Sequence, residues 1–118
     1  MTTINTSELT GAALDWAVAT SKGYSRAALT LGKGMIEFKN MHEDGYHNYS
    51  TDWSQGGSII ERERINVGDN CPTGWQASKR KGVLSITGQG PTPLIAAMRC
   101  YVASKLGDTI EVPEELTK

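Results

Sequence analysis

Apolar residues recur along this chain at two spacings, and the switches between them mark out its elements. The clearest run is 93–106, where Ile95, Met98, Val102 and Leu106 form one continuous helical stripe, widened by Leu94, Ala97 and Tyr101. Thr92 is placed to cap this helix, and Pro93 suits its first position, where the missing N–H costs nothing. Lys105 falls in the last turn, where the helix dipole favours a cation, and Gly107 offers an exit. A second helical run covers 9–22. Leu9, Ala13, Trp16, Ala17 and Thr20 share one face, with Leu14 and Val18 beside them, so Trp16 reads as a core anchor. Ser7 or Thr10 is the expected cap of this helix and Gly23 its exit.

The middle of the chain is less regular. Residues 27–31 and 35–38 fit two short strands around Gly32-Lys33-Gly34, followed by a polar surface loop over 40–48. The 58–65 stretch reads as a short helix capped by Ser58, or as an irregular turn. A strand competes, because Ile59, Glu61 and Glu63 alternate with Ile60, Arg62 and Arg64. Residues 68–74 read as another loop. Residues 75–78 and 83–87 look like paired strands, with Lys79-Arg80-Lys81-Gly82 as a solvated tip. A short edge strand over 108–112 is stopped by Pro113. The expected fold is α+β: one small domain spanning 1–118, in which a short, mostly antiparallel sheet packs with an N-terminal and a C-terminal helix. Residues 1–6 and 114–118 are expected to fray.

Composition narrows the chemistry. A chain of 118 residues has room for one ordinary core and can fold without a disulfide or a metal. Its net charge of −1 argues against nucleic acid as the main partner, since phosphate neutralisation needs a basic excess. Cys71 and Cys100 lack the close spacing of a zinc or redox pair, and Cys100 reads as a small buried residue of the last helix. The N-terminus has no secretion pattern and no run is long enough to span a bilayer, so a reducing cytoplasm is the expected setting.

No strong catalytic motif is present, and neither a cofactor nor a metal is expected. Gly88-Gln89-Gly90-Pro91-Thr92-Pro93 begins like a dinucleotide fingerprint, but proline stands where the third glycine belongs and no crossover unit follows. His42 and His47 flank Glu43 and Asp44 in a loop without fixed geometry, which reads as solvated and not as a metal site. Two places remain. The turn into the last helix aims free N–H groups outward, with the Thr92 hydroxyl beside them and Arg99 about two turns in. An ordinary capped helix with Arg99 in an internal salt bridge is the alternative. The second place, 49–58, gathers Thr51, Asp52, Trp53, Gln55, Gly56 and Gly57. Such a loop can stack a flat ring on tryptophan while glycine backbone approaches polar atoms, or it can be pinned by one buried tryptophan.

The same two places carry a resemblance. Ser50-Thr51-Asp52-Trp53-Ser54-Gln55-Gly56-Gly57-Ser58-Ile59-Ile60-Glu61-Arg62-Glu63 resembles a motif of the NinX-like family of small proteins from tailed phages and prophages of enteric bacteria. Gly90-Pro91-Thr92-Pro93-Leu94-Ile95-Ala96-Ala97-Met98-Arg99-Cys100-Tyr101 is similar to that family's second motif, and the opening from Glu8 to Ala19 matches as well. The resemblance leaves out the middle, at about 24–48. It implies a phage accessory protein acting in the host bacterial cytoplasm and brings no established activity.

The expectation that follows is a non-catalytic binder, or sponge, for a small anionic, nucleotide-like ligand such as a host immune signal. Trp53 or Trp75 would stack the ligand, with Asp52 and Gln55 at its polar edges. Thr92 and Arg99 would hold phosphate, with Arg62 a further candidate. A homo-oligomer would suit such a role. The alternative is a protein–protein inhibitor of a host enzyme or defence complex, docking through an apolar patch around Trp53 and Ile59. An enzyme using Asp52 or His47 comes third.

Overall fold

A computed structural model describes residues 2–22, 49–71 and 74–112. The hairpin expected over 27–38, the loop over 40–48 with His42 and His47, the Gly23 exit and the tail 114–118 lie outside the described residues. The elements, in chain order, are β1 (Thr2–Asn5), α1 (Gly11–Ser21), α2 (Trp53–Glu63), β2 (Asn66–Cys71), β3 (Gly74–Lys81), β4 (Leu84–Gly90), α3 (Pro93–Leu106) and β5 (Thr109–Val112). A single 3-10 turn, Thr6–Glu8, joins β1 to α1. This is the α+β arrangement expected from the pattern, with two short antiparallel sheets where one was expected: β1–β5, and the meander β2–β3–β4.

Helix α3 is the centre, and its bounds are those read from the sequence. The Thr92 Oγ1 accepts the N–H of Ile95 at 3.1 Å, and Pro93 opens the helix. Its burial is wider than one stripe. Leu94, Ala96, Ala97, Met98, Cys100, Tyr101 and Val102 are all buried, because the meander covers one side of the helix and α1 and α2 cover others. Two glycines set the closeness of that contact. A Cβ on Gly88 would stand 2.5 Å from the Cys100 nitrogen and 2.6 Å from the Ala96 oxygen, and one on Gly90 would stand 2.8 Å from Ile95 Cγ2. The glycine pair that resembles the start of a nucleotide fingerprint therefore lets a helix backbone lie directly on β4.

Helix α1 starts at Gly11 with Thr10 as its N-cap residue, although no side-chain bond closes that cap. Residues 13–19 are buried all round, including Trp16, so α1 is an interior helix and not a one-sided surface helix. Its single buried acid, Asp15, accepts the Ser50 N–H at 2.8 Å and so ties the 49–52 turn to the helix.

Several boundaries differ from the sequence expectation. Helix α2 begins at Trp53 and its cap is Asp52, six residues before the expected cap Ser58. The 68–74 stretch, expected as a loop, contains most of β2, with an irregularity in register between Gly68 and Cys71. The β3–β4 hairpin is longer than expected. Lys81 pairs with Leu84, so the turn is Gly82-Val83, and Lys79, Arg80 and Lys81 belong to the strand. Lys79 and Lys81 are not a solvated tip: their Nζ atoms donate to the Glu63 carbonyl at 3.2 Å and the Ser104 carbonyl at 2.8 Å. Each lysine thereby satisfies a carbonyl near a helix C-terminus. Residues 2–5, expected to fray, form a strand whose Thr2 pairs with Val112 and Asn5 with Thr109. The adjoining Thr6 donates its N–H to Asp108 O and its hydroxyl to Gly107 O, both at 2.7 Å.

Candidate functional site

The polar residues of the 49–58 stretch are occupied in building a helix. The Asp52 Oδ1 accepts the N–H of Ser54 at 2.9 Å and its hydroxyl at 2.6 Å, while Gln55 Nε2 donates to Asp52 Oδ2 at 3.2 Å. The Ser54 hydrogen bonds hold the Asp52 carboxyl below its ordinary pKa. Asp52 with Gln55 three residues on is the spacing of a capping box, and that was the signal for the true start of α2; Gly56-Gly57 hid it by breaking helix propensity. Gly56 is buried where α2 crosses α3, since a Cβ there would stand 2.4 Å from the Tyr49 oxygen and 2.5 Å from Leu94 Cδ1. Gly57 lies beside the Trp53 ring, and Thr51 is exposed in the preceding turn. Trp53 itself is 57% exposed, whereas Ile59 is completely buried, so these two do not form one surface patch.

Arg62 and Trp75 are placed elsewhere. At the C-terminal end of α2, Arg62 Nε donates to Glu63 Oε2 at 3.1 Å and its Nη2 lies 3.4 Å from the Tyr101 hydroxyl. Lys79 Nζ stands 3.3 Å from Glu63 Oε1. Burial raises the Glu63 carboxyl, but the bonds from Arg62 and Lys79 outweigh it and hold the pKa below normal. Trp75 is half-buried and packs against the core from β3.

Arg99 is the candidate that lines a cavity. Its Nε donates to Leu9 O and its Nη1 to Gln89 O, both at 2.7 Å. The internal salt bridge expected as the alternative is not made: among the described residues no carboxylate lies within ion-pair distance of Arg99. Burial lowers its pKa, yet a guanidinium keeps its charge at any working pH. That charge lines a cavity of about 420 Å³ formed with Ser7 and the 87–91 run of β4 and its exit. A second cavity of about 200 Å³ shares Ser7, Thr87, Gly88 and Arg99 and extends to Asn5, Thr6 and Asp108. Together they make a groove with β4 on one wall and the 5–7 turn on the other. Neither Trp53, Trp75 nor Thr92 lines either cavity. Arg99 thus shares its cavities with neither Thr92, its expected partner, nor either stacking ring.

Sequence reading missed residues of both walls, Ser7 on the turn and Thr87 on β4. The polar alternation Ser85, Thr87, Gln89 was the available signal, because it carries the strand period through to Gly90. The neighbouring Cys100 is buried, with its thiol 3.4 Å from Ile86 O, and burial pushes its pKa up to about 11. It serves as an inert packing residue, as its place in the helix suggests.

The family described as bacteriophage P22, NinX matches residues 5–105. This chain belongs to the NinX family. The match includes α1, α2, the meander and nearly all of α3, and so takes in Ser7, β4 and Arg99. No curated protein matches the chain significantly. Among the described residues of this NinX-family protein, no helix is long and apolar enough to cross a membrane. No cluster of His, Cys, Asp or Glu among them could hold a metal ion.

Proposed function

We propose that this NinX-family phage protein is a non-catalytic binder of a small anionic ligand in the host cytoplasm, with the ligand's charge seated on Arg99. The observation that carries the reading is the environment of that guanidinium. Two carbonyls fix its plane, no described carboxylate lies within ion-pair distance of it, and it faces the larger cavity, lined by hydroxyls, an amide and main chain. A partly buried cation held in this way recognises an anion at little further ordering cost.

The nucleotide form of the idea has narrower support than the anion form. A base needs a stacking face, and the two tryptophans proposed for it lie outside the groove. The test is a thermal-shift panel of inorganic phosphate and linear and cyclic nucleotides, run on the native protein and on Arg99→Gln. At a ligand concentration about 100 times Kd, binding adds about 2.7 kcal/mol to stability, which is readily measured. A rise in Tm that is lost in Arg99→Gln is expected. No shift from any anion, or an equal shift in the variant, would remove Arg99 as the seat.

A further inference from the structure

The groove has a wall that an anion alone does not use. In the β3–β4 hairpin the two-residue turn makes Lys81 and Leu84 a hydrogen-bonded pair, and bonding then alternates outward along the register. Leu84, Ile86, Gly88 and Gly90 therefore turn their N–H and C=O groups towards β3. Ser85, Thr87 and Gln89 turn theirs away, towards the free edge of the sheet. β4 is the outer strand of its sheet, and all three residues are exposed. Only one of these edge groups has a partner among the described residues: Gln89 O, which accepts from Arg99. The N–H and C=O of Thr87 and the N–H of Gln89 thus open directly into the groove beside Arg99.

Resting on the anion-binding reading, we propose that the ligand is an extended peptide that adds as a fourth strand along β4, with a carboxylate on Arg99. Strand addition satisfies edge groups that, Gln89 O apart, have no partner among the described residues. The charge selects the occupant. β4 runs Leu84-Ser85-Ile86-Thr87-Gly88-Gln89-Gly90 and contains no acid, so a second copy paired edge to edge through β4 would leave Arg99 uncompensated. The 5–7 turn and Asp108 line the far side of the groove, opposite β4. The carboxylate sits at the Gln89 end, in the larger cavity, which Asp108 does not line.

The experiment uses the full chain and a library of random hexapeptides with free C-terminal carboxylates. Selected peptides are titrated by NMR as the free acid and as the C-terminal amide. The expected result is slowed exchange of the Thr87 and Gln89 amide protons, with affinity falling about tenfold on amidation and on Arg99→Gln. Ser85→Pro deletes an outward N–H of the edge strand at a residue that lines neither cavity, where proline is tolerated, and should weaken peptide binding while the protein still binds phosphate. Three outcomes overturn the proposal: equal binding of acid and amide, unprotected Thr87 and Gln89 amides, or no Arg99-dependent peptide. Should phosphate or nucleotides still bind through Arg99, strand addition fails alone. Should nothing bind there, the anion reading fails with it.

Discussion

Gly88 carries more of the fold than any side chain could at its position. The helix backbone crosses it so closely that a methyl group would meet Cys100 N and Ala96 O inside contact distance, and neither main-chain atom can step aside without moving α3. Gly88→Ala is expected to cost about 2–3 kcal/mol, as overpacking at a rigid contact does. Urea denaturation should show this as a lowered midpoint at unchanged slope. Arg99 works in a different way at the same crossing. Its two carbonyl bonds join residues 90 and 10 positions away in sequence, so one side chain couples the start of the chain to the edge of the sheet.

At the scale of elements, capping chemistry decides where helices begin, and it also decided what could be read from the sequence. The last helix was legible to its ends, because Thr92, Pro93 and Gly107 are unambiguous punctuation around an apolar run. Helix α2 was not, since Gly56-Gly57 mimics a turn and the tertiary contact that needs Gly56 is invisible in one dimension. The strand face was hidden for a similar reason: Gly88 and Gly90 look like a loop until a helix is seen lying on them. Arg99 was legible as a candidate, but its partners Leu9 and Gln89 were not, being main-chain atoms that any residue supplies. The α2 cap gives a pH prediction. Hydrogen bonds depress the Asp52 pKa in the folded state, so the stability it contributes is present above its unfolded value, about 3.9, and is lost as pH falls through the depressed one. Asp52→Asn keeps a good cap without the titration. Its thermal midpoint should depend less steeply on pH than the native protein's below about pH 4.

On the scale of the whole molecule, the two sheets are joined through α3 and closed by the meeting of the two ends of the described chain. Thr6 is the buried clasp, donating twice across a separation of about a hundred residues. Thr6→Val removes the hydroxyl bond to Gly107 at nearly constant volume, and a loss of about 1–2 kcal/mol is expected. The same variant should weaken phosphate binding in a thermal-shift titration, because the 5–7 turn is the far wall of the groove. Unchanged binding alongside the expected destabilisation would separate the clasp from the site. The pairing of β1 with β5 also orders events in time. During synthesis the first strand has no partner until residues 109–112 have left the ribosome, so the groove closes only when almost all of the described chain has been made. A nascent chain can build the β2–β3–β4 meander early, but α1 must wait for α3 and β5 before it is buried, and the groove is completed with them.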